Sequence, residues 1–158
     1  MNLIAILVAA LVPTAVGFVW YSDKGFGNAW MRENGFVKEE LEKGNMLPIL
    51  AFSLLFSFFI SLFMQFIVIH QFGAGGMIGG DEATALPSYA AFMKDYGSAF
   101  RTFKHGALHG TMTGVLFAFP MVAINAMFER KSWKYIFIHA GYWTVTLGII
   151  GAILCGWV

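Results

Sequence analysis

Residues 47–69 read LPILAFSLLFSFFISLFMQFIVI, without one charged side chain. At 1.5 Å rise per residue a helix of this length covers roughly 34 Å, enough to cross a hydrocarbon core of about 30 Å. Three further runs, 3–20, 103–128 and 133–158, are uncharged or nearly so, and each holds about 18 residues or more. In lipid every backbone group has to be satisfied within the protein, so runs this long are read as helices. A barrel would need alternating strands of about ten residues, and the runs show no period of two. The chain has 158 residues, 58% hydrophobic and 12% charged, where soluble domains run near a quarter charged. A soluble fold of this size would leave large apolar patches exposed and would aggregate. The reading is one all-α domain over 1–158, an integral-membrane four-helix bundle.

Net charge is +1, which offers no basic field for nucleic acid; membrane lipid is the expected partner. Cys155 is the one cysteine and excludes an internal disulfide framework. The first run has no Lys or Arg ahead of it and is read as a retained span rather than a secretory signal. Loops one and three carry Lys24, Arg32, Lys38, Lys43, Arg130, Lys131 and Lys134, against Lys94, Arg101 and Lys104 in loop two. That bias puts loops one and three in the cytoplasm and both termini outside, in a multi-pass protein of the inner membrane.

Loop one, with Phe26, Trp30, Phe36, Val37 and Leu41 among its charges, is expected to form an interfacial helix. Loop two begins with Gly73, Gly75, Gly76, Gly79 and Gly80. No strand precedes them and no Lys-Ser or Lys-Thr pair follows, so a flexible linker is expected rather than a phosphate cradle. Tyr89, Phe92, Met93 and Tyr96 then predict a short amphipathic helix on the outer interface. Pro13 and Pro120 should kink spans one and three, freeing the carbonyls of Ala9 and Leu116.

Small residues recur every four positions on each span: Ala5, Ala9, Pro13 and Gly17; Ser53, Ser57, Ser61 and Gln65; Thr102, Gly106, Gly110, Gly114 and Ala118; Ala140, Thr144, Gly148, Ala152 and Gly156. Such rows flatten a helix face and let backbones approach. Because every span carries one, they are expected to face inward within one bundle, the alternative being a homo-oligomer interface. Phe52, Phe56, Phe59, Phe63 and Phe66 then face lipid.

Ionisable groups inside spans are candidate sites. His105 and His109 lie four apart on one helix face, the spacing of two ligands to one metal, and by depth His70 or Cys155 can join them. The intervening Gly106-Ala107-Leu108 contains no Glu, so the metalloprotease motif is absent. The sharper reading is an outer-leaflet metal or haem site. The plainer reading, preferred for want of a carboxylate, is imidazoles hydrogen-bonding across helices, with no cofactor. His139 lies about 10 Å from the level of His109 and cannot readily share its ligand. Asn125 and His139 sit at similar depths and are expected to bond to each other, beside Tyr142 and Thr144. Catalytic triads, paired carboxylates and cofactor fingerprints are missing.

Trp20-Tyr21-Ser22, Phe26-Gly27 and Trp30-Met31 resemble the signature of the domain-of-unknown-function family numbered 1761. The His-Gly pairs at 105 and 109, Asn125, Phe128-Glu129, Trp133, Gly141-Tyr142 and Gly156-Trp157 resemble its second half, and Asp23 stands where the pattern leads one to expect proline. The resemblance implies a bacterial four-span membrane protein without an assigned activity. The expected role is a binding or accessory protein, with a protein partner in a larger membrane complex. The rivals are a metal- or haem-bearing redox protein and a small transporter or channel.

Overall fold

The computed structural model describes residues 2–158, all helix and loop with no strand among them. Four helices are long and apolar enough to cross a membrane. The first is α1 (Leu3–Trp20), opened by the Asn2 side chain accepting from the Ala5 N–H. The second is α4 (Met46–Val68), opened in the same manner by Asn45. The third runs from Phe103 to Phe128 in two halves, α7 (Phe103–Thr113) and α8 (Phe119–Phe128). The fourth is α9 (Trp133–Gly156), capped by Ser132. These bounds agree with the hydropathy runs to within about two residues, the usual fraying uncertainty.

The halves of the third span are joined by a π-helical turn, Gly114–Ala118, whose closing bond runs from Phe119 N–H to the Gly114 carbonyl. Pro120 cannot donate to Leu116, and its ring would strike that carbonyl in a regular helix. Widening the preceding turn by one residue removes the collision, so the expected break appears as a π-bulge.

Two loop expectations change. Loop one holds two short helices, α2 (Gly27–Asn34) and α3 (Lys38–Leu41), because Gly35 at φ 68° ends the first in a left-handed cap. The glycine-rich start of loop two is not a linker throughout: Gln71–Met77 forms α5, and the chain turns only at Gly79 and Gly80, both with positive φ. Phe72 packs against the core, its ring 5.1 Å from Phe66, and that contact outweighs the glycines' poor helix propensity. The amphipathic helix of loop two is α6 (Pro87–Tyr96).

Among the spans, α9 is the hub, touching all the others, with α7 its most extensive neighbour. Glycine is what allows that approach. A Cβ on Gly106 would overlap the Gly151 carbonyl and the Cys155 side chain, one on Gly110 the Leu147 carbonyl, and one on Gly114 the Thr144 backbone. Conversely, a Cβ on Gly148 would lie 2.8 Å from the Thr111 hydroxyl. Lipid solvates apolar side chains as well as protein does, so this contact area acts through dispersion rather than the hydrophobic effect. On the other side of α9, Ala5, Ile6 and Ala9 of α1 pack with Ile150 and Leu154, and with Met64 and Val68 of α4. Trp20 donates its indole N–H to the Ile138 carbonyl at 3.0 Å.

The rows therefore face inward with specific exceptions. Ala152 is half-buried, and Gly151, outside the row, does the close work beside Gly148. Thr102 is exposed and caps α7. Ser57, Ser61 and Gln65 are buried, but Ser53 is exposed, because the first three turns of α4, through Phe56, are left largely uncovered by the other spans. The row Phe52, Phe56, Phe59, Phe63 and Phe66 points outward, each more than half exposed.

Candidate functional site

At Ile69 the backbone turns extended (φ −113°, ψ 100°), ends α4 and leaves His70 at the rim where α7 begins. Thr102 accepts from the His105 N–H and starts α7, so His105 and His109 fall one turn apart on the same face. The three rings converge. The Nε2 atoms of His70 and His105 are 2.9 Å apart, and one ligand nitrogen from each histidine lies within 4.8 Å of the other two. Ring centroids are separated by 4.4 Å (His105–His109), 4.9 Å (His70–His105) and 5.0 Å (His70–His109).

A shell of loop contacts holds this geometry. Phe100 stacks on His105 at 5.0 Å and meets His70 edge-on at 6.0 Å. Its φ of 61° is left-handed, a strained backbone for an aromatic residue. The Phe100 carbonyl accepts from the Thr102 N–H at 2.8 Å and from the Cys155 thiol at 3.3 Å. Arg101 donates to the Cys155 carbonyl, and Gln71 donates to the carbonyls of Tyr96 and Ala99. Thus His70, not Cys155, completes the set. The thiol is buried behind the loop and its part is to hold Phe100.

The arrangement admits two chemistries. Neutral rings can form an N–H···N bond between His70 and His105, or the nitrogens can turn their lone pairs on one ion. A tetrahedral site with metal–nitrogen distances near 2.0–2.1 Å sets its nitrogens about 3.3 Å apart. His70 and His105 stand near that value and the His109 nitrogen lies within 4.8 Å of both, so the rings need only readjust within the cluster to face one ion. No carboxylate joins the group among the described residues, which leaves a fourth position open.

The half of the bundle away from the three histidines is organised differently. The partner of His139 is Tyr21, whose hydroxyl stands 3.2 Å from Nδ1; the expected partner Asn125 is exposed. Burial, then the neighbouring Tyr142 and Tyr135, push the Tyr21 phenol well above its ordinary pKa, so the hydroxyl stays protonated beside Nδ1, and the imidazole tautomer sets which of the two donates. Tyr135 packs its ring 4.3 Å from His139. Tyr142 donates to the Pro13 carbonyl at 2.8 Å, tying α9 to the proline turn of α1, and Thr144 donates to Ala140. In the sequence Tyr21 stood out only within the Trp20-Tyr21-Ser22 resemblance; its pairing with His139 spans 118 residues.

Beside these tyrosines lies a cavity of about 690 Å³ between α1, α9 and the outward-leaning start of α4, closed below by α2 and α3. A second, apolar groove of about 460 Å³ runs between α4 and the π-bulge region, walled by Phe63, Met64, Phe117 and Met121.

No curated protein and no solved structure matches the chain. Residues 4–155 match a family described only as protein of unknown function, DUF1761, so the match covers both histidine environments and all four spans. The chain belongs to the DUF1761 family of proteins of unknown function.

Proposed function

We propose that this integral membrane protein is a metal-binding accessory protein of the bacterial inner membrane. In this reading His70, His105 and His109 hold one first-row divalent ion at its outer rim. The observation that carries the reading is the convergence of three ring nitrogens from two chain segments, 35 residues apart at the closest pair. Imidazole suits zinc, copper, nickel and iron, and three neutral ligands leave the ion's double charge uncompensated. Water or an incoming anion would take the fourth position. Haem is the poorer fit, because a porphyrin offers two axial positions on opposite faces, and a third clustered ring would stand in its plane.

The lysine and arginine bias supports placing the triad outside, with loops one and three in the cytoplasm. The bundle centre supports binding over conduction: Ile6, Ala9, Ser61 and Ile150 are at most 1% exposed.

The test is metal content by mass spectrometry and the visible spectrum of the purified protein loaded with Co²⁺. About one ion per chain with a tetrahedral cobalt spectrum is expected, and neither in the His105→Ala, His109→Ala double variant. Equal loading of the double variant, or no loading of the parent, overturns the reading. A Soret band that disappears in the double variant would favour haem instead.

A further inference from the structure

The 690 Å³ cavity is separate from the histidine triad and owes its existence to the departure of α4 from the bundle. Its walls are mainly apolar and aromatic, with the exposed Glu40 the one charged side chain among them. Tyr21, Trp30, Tyr142 and Trp143 line it, with ring centroids 5.5 Å (Tyr21–Trp30), 5.4 Å (Tyr21–Tyr142) and 5.1 Å (Tyr142–Trp143) apart. Glu40 of α3 stands among the lining residues, and Lys, Arg and His are absent from them. The Ser53 hydroxyl adds a hydrogen-bonding group on an exposed wall. Aromatic faces are negative, and a cation within about 6 Å of one is attracted, more strongly where water is excluded. The α1 carboxyl end, negative by its dipole, meets the cavity opposite the amino end of α4, so the two helix termini largely cancel and rings and carboxylate decide.

We infer that this cavity binds a lipophilic organic cation, entering from the lipid side between α1 and α4. Its volume falls in the range of small-molecule sites, about 300–1,000 Å³. A phospholipid tail would gain nothing from Glu40 or from four rings gathered at one level. A lipophilic anion would meet negative faces and a carboxylate. The inference is independent of the metal reading, since no lining residue is a triad histidine.

Two probes of the same shape and opposite charge test it: tetraphenylphosphonium and tetraphenylborate, titrated by equilibrium dialysis against protein in lipid nanodiscs. Saturable binding of the phosphonium and none of the borate above empty discs is expected. Glu40→Gln should weaken the phosphonium about three- to tenfold, and Trp30→Ala about tenfold, the scale of one desolvated cation–π contact. Ser53→Phe adds a ring into open space on an exposed wall and should abolish binding while helical circular dichroism and monodispersity are unchanged. Equal binding of the borate, no saturable binding of the phosphonium, or unaltered affinity in both Glu40→Gln and a folded Ser53→Phe overturns the inference.

Discussion

The seam of the third span with α9 and the N-terminal part of α4 carry the same kind of row, small residues four apart, and come to opposite ends. Along the third span, Gly106, Gly110 and Gly114 meet backbone atoms of α9 so closely that no Cβ fits. Along α4, Ser57 and Ser61 are buried but Ser53 faces a cavity. A row of small residues permits close approach; it does not compel it. What decides is the other helix. Gly148 and Gly151 on α9 answer the α7 glycines with bare backbone. Facing the start of α4 across the cavity stand Tyr21, Trp30, Tyr142 and Trp143, whose rings offer no bare backbone to approach.

The sharpest way to break that contrast is to place one branched side chain in each seam. Gly110→Leu drives its side chain into the Leu147 backbone, which cannot yield as a flexible side chain could. A loss of about 3 kcal/mol in reversible detergent unfolding is expected, at the upper end of overpacking effects. Ser53→Leu, on the open wall, should change stability by less than about 0.5 kcal/mol. Comparable losses for the two would show that α4 packs as tightly as α7.

The histidine rim offers a second contrast, between strain and the proposed ligation. Phe100→Gly relieves a left-handed backbone that costs on the order of 1 kcal/mol, yet removes the ring stacked on His105. Unfolding should become up to about 1 kcal/mol harder while Co²⁺ affinity drops roughly tenfold, the lower range for loss of groups that orient metal ligands. A variant that is both less stable and equally tight for cobalt would refute this division of labour.

Much of this architecture was legible in the sequence, for a physical reason. Lipid imposes a length and a polarity on each span, so the four runs announce themselves, and glycines four apart in a helix have few uses other than close packing. His105 and His109 were legible because helical periodicity alone brings them together. The rest depended on rotation and tilt, which hydropathy does not encode. Asn125 and His139 share a depth, but Asn125 faces outward and Tyr21 reaches His139 instead. The tilt of α4 exposes Ser53, and the docking of Phe72 turns a glycine-rich stretch into a helix.

The Tyr21–His139 pair measures how far rotation matters. Tyr21→Phe removes one hydrogen bond and keeps the ring against Trp30 and Tyr142. A loss of about 0.6 kcal/mol is expected, the average for such bonds between membrane helices. Asn125→Ala should be silent within about 0.5 kcal/mol because its side chain is exposed. The reverse order would mean that Asn125 turns inward in the membrane.

The smallest effect is expected where sequence alone predicted a large one. An interior proline ordinarily costs a helix about 3 kcal/mol, so Pro120→Ala would restore much of that in a regular helix. Here the Gly114–Ala118 turn has already absorbed the misfit, and packing holds the turn from both sides. On one side Gly114 lies on Thr144; on the other Ala123 and Ala126 pack on Ile136. Closing the bulge would rotate one of these contacts off α9. The Pro120→Ala variant should therefore keep the π turn, with stability unchanged within about 0.5 kcal/mol. A gain of about 2 kcal/mol or more, with new amide protection at position 120, would show that proline alone makes the bulge. Were the Gly114 contact to survive that change, α9 would have to accept α7 and α8 in either register.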